Sequence, residues 1–93
     1  MIIKNFCEKS LPIIYDKLIK YNICESKHGG QIHYGIQIVE QTKETQIEEM
    51  IENISPCKNF VYDLLTCLCE NLIGIVHFKD IVEDYILKSE YIV

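Results

Sequence analysis

Ile54–Leu87 reads ISPCKNFVYDLLTCLCENLIGIVHFKDIVEDYIL, and its periodicity sets the fold because it holds two amphipathic helices in succession. Ser55 predicts an N-cap, and Pro56 falls at the first helical position, where its missing N–H costs nothing. Over 56–71, Phe60, Val61, Leu64, Leu65, Cys67, Leu68, Cys69 and Leu72 cover an arc of about 200° at ~100° per residue. Lys58, Asn59, Tyr62, Asp63, Thr66 and Glu70 hold the remainder. An arc that wide exceeds one contact, so this helix is expected to touch a sheet on one side and something else on another. After an apolar link, Leu72–Val76, a second helix over 77–88 carries the narrower stripe Phe78, Ile81, Val82, Tyr85 and Ile86, spaced i, i+3, i+4, i+7, i+8.

Working back toward the N-terminus, the chain supplies a sheet to receive these helices. Ile32, Tyr34, Ile36 and Ile38 alternate with His33, Gly35 and Gln37, which predicts a strand over 31–41 with one face toward the helices. Gly35 in mid-strand predicts a bulge or a close approach by another segment. Ser26–Gly30 (SKHGG) is a turn whose two glycines accept positive φ. Ahead of it, Ile19, Tyr21 and Ile23 alternate over a strand at 17–25, in competition with a helical stripe of Leu11, Ile14, Tyr15 and Leu18 behind Ser10. Beyond the polar loop Thr42–Thr45, Gln46–Ile54 has helix-spaced Ile47, Met50, Ile51 and Ile54. A third strand over 46–54 completes a meander, and a bulge near Glu48–Glu49 reconciles that spacing with strand geometry. Met1–Ser10, with Ile2, Ile3 and Phe6 between polar residues, leaves strand and helical turn both open.

The fold class expected is α+β: a three-stranded antiparallel β-meander with two C-terminal helices packed on one face. The organisation expected is one small domain over 1–93, with an unassigned segment 1–16, sheet 17–54, two helices 55–88 and a tail 89–93.

The composition narrows the function classes. The net charge of −5 divides into +2 over residues 1–39 and −7 over residues 40–93. An acidic half and the absence of Arg argue against direct nucleic-acid binding, which needs clustered cations and bidentate readers. No apolar run approaches the eighteen or so residues of a membrane span, so no membrane partner is expected. The cysteines (Cys7, Cys24, Cys57, Cys67, Cys69) are odd in number and follow no disulfide framework, so five free thiols and a reduced, cytoplasmic setting are expected. The lack of Ala, Arg and Trp beside abundant Ile, Lys, Asn and Tyr is the usage of an AT-rich genome, a low-GC Firmicute-like bacterium or one of its mobile elements.

Tyr34-Gly35-Ile36, Ile54-Ser55 with Lys58, and His77, Asp80, Glu83, Asp84 and Tyr85 form a YGI strand, an I-S-x-x-K junction and an H-x-x-D-x-x-E-D-Y closing helix. From Tyr34 onward the chain resembles a family of small Firmicute proteins of unknown function. The resemblance implies an architecture and no chemistry.

Candidate sites are few. His77, Asp80 and Asp84 lie on neighbouring turns of a helix and offer one nitrogen and two oxygens to a divalent metal. Solvated acids near a helix N-terminus complement its dipole, and Asp80, Glu83 and Asp84 read more readily as a docking stripe for a basic partner. Cys57, near a helix N-terminus and Lys58, has the setting of a reactive thiol. Cys67 and Cys69, two apart on a helix, point about 200° away from each other and share no ion. His28-Gly29-Gly30 lacks the strand–helix context of a dinucleotide loop. No cofactor is implied.

The reading that results is a small intracellular, non-enzymatic module that binds an unknown protein through the acids of the second helix and through Phe60 and Leu64 of the first. One alternative is an acidic inhibitor, carried by a mobile element, whose carboxylates replace phosphates in a nucleic-acid enzyme. Another is a thiol- or metal-dependent enzyme using Cys57 or the His77 cluster. The surplus apolar arc has two possible covers: a second copy in a two-fold homodimer, or the segment Met1–Tyr15 of the same chain.

Overall fold

The structure, a computed structural model, describes residues 1–11 and 16–91. Its elements are β1 (Ile2–Leu11), β2 (Lys17–His28), β3 (Gln31–Gln41), β4 (Gln46–Ser55), α1 (Lys58–Glu70) and α2 (Ile75–Tyr91). The class is α+β with an antiparallel sheet and two helices, but among the described residues the sheet has four strands, in the order β1-β2-β3-β4. Met1–Ser10 is therefore mostly strand, paired along β2 from Ile2 opposite Glu25 to Leu11 opposite Lys17. Its period-2 signal is broken by a bulge between Asn5 and Cys7. The extra residue lets neighbouring Phe6 and Cys7 both reach α1, which strict alternation forbids. In the competing helical stripe, Ile14 and Tyr15 lie outside the described residues, while Leu18 belongs to β2.

The hairpin between β2 and β3 turns through Gly29 and Gly30 at φ +58° and +82°, the two positive values that a tight turn matched to strand twist requires. Gly35 also has the close neighbour its position predicts. Tyr34 pairs with Ser55 and Ile36 with Ile51, so 52–54 stand opposite Gly35 alone, with Asn53 at φ +56°. A Cβ at Gly35 would lie against the Ile51 carbonyl and 2.9 Å from Glu52 Cα. Glu48 and Glu49, where a bulge was expected, pair regularly with Val39 and Ile38. The extra residues collect instead where the facing strand has no side chain.

The helix boundaries shift for local reasons. Ser55 stays in β4 and its Oγ accepts the Cys57 N–H at 3.0 Å, so Cys57 is the N-cap and α1 starts at Lys58. At the other end Leu72 has φ +52°. The Ile73 N–H reaches the Leu68 carbonyl at 3.0 Å and the Leu72 N–H reaches Cys69 at 3.3 Å, which is the Schellman arrangement with leucine in place of the usual glycine. Tyr21 Oη donates to the Ile73 carbonyl at 2.8 Å, pinning this turn to the sheet. The link is shorter than Leu72–Val76, because α2 begins at Ile75 and takes in Ser89–Tyr91 of the expected tail; residues 92–93 lie outside the described residues.

One face of the sheet carries the core. Ile19, Tyr21, Ile23, Ile36 and Ile38 meet Val61, Leu64, Leu65 and Leu68 of α1 and Phe78 and Val82 of α2. α1 touches all four strands and α2, so much of the wide arc is taken up within the chain; of the apolar surplus, Leu64 is buried, Phe60, Cys67, Ile73 and Ile75 are half-buried, and Leu72 and Val76 at the link are exposed. The expectation of five free thiols is overturned as well. Cys7 and Cys69 form a disulfide across a sequence separation of 62, leaving Cys24, Cys57 and Cys67 free. Sequence could not pair them, because their contact depends on α1 crossing an edge strand. On the helix-free face a row of side chains satisfies itself across the sheet: Asn5 donates to Asn22 (3.0 Å), Asn22 to Gln37 (2.9 Å) and Gln37 to Glu48 (3.4 Å).

Candidate protein-binding surface

β2 has 12 residues and α1 has 13. At ~3.3 Å and ~1.5 Å per residue they extend about 40 and 20 Å. The sheet therefore overshoots the helix, and its inner face is bare at the hairpin end. Ile2, opposite Glu25, and Ile32, opposite Lys27, are 55% and 42% exposed although they lie on the core side. With Met1, Glu25, Ser26 and Lys27 they line an open groove of ≈ 510 Å³.

Cations surround this groove. The Glu25 carboxylate sits 3.8 Å from both Lys4 and Lys58. The Lys58 ammonium also lies 5.5 Å from the Tyr62 ring centre and 5.9 Å from that of Tyr34, within cation–π range. Tyr62 first, and Glu25 after it, raise the Lys58 pKa and hold it charged. Lys27 has no carboxylate partner among the described residues. Beside the groove the outer edge of β1 has no strand partner among the described residues, and it exposes Ile3 and Phe6 as well as Ile2. The other edge, β4, is studded with Glu48, Glu49 and Glu52 and broken at Asn53, devices that discourage strand pairing.

The residues singled out from sequence are dispersed. Leu64 is fully buried and belongs to the core, not to a surface. Phe60 is half-buried, edge-on to Tyr85 at 5.4 Å, and lines a shallow depression with Tyr85, Lys88 and Ser89. Asp80, Glu83 and Asp84 are exposed along α2, with Asp84 3.0 Å from Lys88. His77 is exposed in the first turn of α2, and among the described residues no three His, Cys, Asp or Glu side chains are grouped to hold a metal. Cys57 is exposed at the α1 N-cap. Burial, helped by Glu40, pushes the Tyr21 hydroxyl up to about 12. Burial and then Glu52 push the Cys24 thiol up to about 11. Both are interior groups with no access to the groove.

Sequence reasoning missed Met1, Ile2, Ile3, Ile32, Lys4 and Lys27. A signal was present in the mismatch between a long hairpin and a short first helix, but alternation alone placed Ile32 inward without saying what covers it. Among the described residues no helix is long and apolar enough to cross a membrane. Residues 5–88 match a family of unknown function (DUF6514), well ahead of Tyr34, where the resemblance was expected to begin. No curated protein and no solved structure matches the chain.

Proposed function

The chain belongs to the DUF6514 family of unknown function, and we propose that it works as a non-enzymatic protein-binding module whose contact surface is the groove at the hairpin end. The observation that carries this reading is the group of exposed Met1, Ile2 and Ile32 in the groove, next to exposed Ile3 and Phe6 on a strand edge that is unpaired among the described residues. Exposed apolar side chains collected in one place, rather than scattered, mark interaction sites. The docking surface thus moves from α1 to β1 and the hairpin. A photo-crosslinking side chain placed at Ile32 tests it against the same probe at Ile47, which is 54% exposed on the opposite edge. Discrete protein adducts in the native host from Ile32 and not from Ile47 are expected. Equal adduct patterns from the two positions would remove the groove as the contact surface.

The exposed acids of α2 support a second reading, an inhibitor whose Asp80, Glu83 and Asp84 replace phosphates in a basic groove. Neutralising all three as Asp80→Asn, Glu83→Gln and Asp84→Asn would then abolish binding, whereas a groove-mediated contact would survive.

A further inference from the structure

We infer that the β1 side of the groove takes an extended segment rich in acidic and aliphatic residues, added as a fifth strand along Ile2–Asn5 of β1; this rests on the binding-module reading above. Charge gives the first argument. Lys4, Lys27 and Lys58 stand around a single carboxylate, Glu25, so an incoming acid meets a positive rim over an apolar floor. A second copy docked through the same surface would bring another rim of Lys4, Lys27 and Lys58 against this one, which like-charge contact opposes.

Strand geometry gives the second argument. The outer edge of β1 runs regularly from Ile2 until the bulge after Asn5, so about four residues can accept a partner strand before the ladder is disturbed. Along that run Ile2 and Lys4 point to the inner, groove side and Ile3 and Asn5 to the other. An added strand therefore places aliphatic side chains opposite Ile2 and Ile3. It places Asp or Glu opposite Lys4, two positions from the inner aliphatic and on the same face. The motif is two adjacent aliphatics and an acid, with backbone hydrogen bonds contributing affinity and side chains contributing choice.

A random peptide display library selected against the full chain tests the inference, with Lys4→Glu/Lys27→Glu and Ile2→Asp as counter-targets whose folding is checked by circular dichroism. The expected pool has Asp or Glu two positions from Ile, Leu or Val. A synthetic peptide from it should lose about tenfold or more in affinity on the Lys4→Glu/Lys27→Glu chain and on N-methylation of alternate backbone amides. A pool that depends on Ile2 but is neutral or basic, or that tolerates N-methylation, overturns the acidic-strand inference while leaving a binding groove. A pool indifferent to Ile2→Asp overturns both. Light scattering supplies the last arm: a mass near 10.9 kDa is expected, and a mass of twice that, lost with Ile2→Asp, would make the occupant a second copy and overturn the inference.

Discussion

Ile36 and Ile32 lie on the same strand and the same face, four residues apart, yet Ile36 is fully buried and Ile32 is 42% exposed. The two ends of the inner sheet face are written in the same alternating pattern. At one end α1 and α2 cover it; at the other it projects past them, and the isoleucines become a groove instead of a core. Alternation reports which way a side chain points and nothing about what lies above it. Cover is decided by the rise per residue of the elements and by where α1 crosses. A surface argument built on helical arcs, such as the one that put Leu64 outside, therefore fails where the fold supplies more partners than were counted.

The largest effect that can break this comparison comes from a charge at each end. Leu64→Asp puts a carboxylate in the fully covered end and should cost more than about 4 kcal/mol, enough to unfold a domain of this size. Ile32→Asp should change stability by no more than about 0.5 kcal/mol. Urea titration followed by circular dichroism compares them; a folded Leu64→Asp chain would mean that the covered end is not a core.

Next in size is the staple of the covered end. Under non-reducing conditions Cys7→Ser should lower stability by about 2–4 kcal/mol. Alkylation of the denatured, unreduced chain should label Cys24, Cys57 and Cys67 only. Labelling of all five thiols would show that β1 is held by pairing and packing alone.

Gly35 tests the border between the two ends. Gly35→Ala drives a Cβ into the backbone of β4 and should cost about 1–3 kcal/mol. Gly74→Ala meets only the Glu40 side chain, at 3.1 Å, and should cost less. Equal costs in a thermal melt would mean that the β4 irregularity yields easily.

The smallest effect sharpens the comparison through pH. Tyr21→Phe removes one hydrogen bond to the helix link, worth about 1 kcal/mol. Because burial raises the Tyr21 pKa from 10.0 to about 12, the unfolded chain releases this proton first. Stability should therefore be intact below pH 10 and fall between pH 10 and about 12. Cys24, raised from 9.0 to about 11, adds an earlier decline of the same sign. Denaturant midpoints across this range should fall less steeply above pH 10 in Tyr21→Phe; an unchanged slope would detach the hydroxyl from the alkaline loss.

Several features were readable from residues alone because their causes are local. The glycine pair set the hairpin, the Ile32–Ile38 alternation set the inner face, the apolar spacing over 58–86 set two helices, and a glycine in mid-strand announced a close neighbour. Other features were not legible, because they belong to no single segment. Met1–Ser10 carries an ambiguous pattern and becomes a strand because β2 offers it an edge, with a bulge that hides the alternation. Cys7 and Cys69 meet only after α1 has crossed that edge. The groove exists because about 40 Å of hairpin lies under about 20 Å of helix, so Ile2 and Ile32 are left beside Lys4 and Lys27 without a lid. Local periodicity determines the direction of each side chain; the relative lengths and crossing of packed elements determine which of those side chains water still reaches.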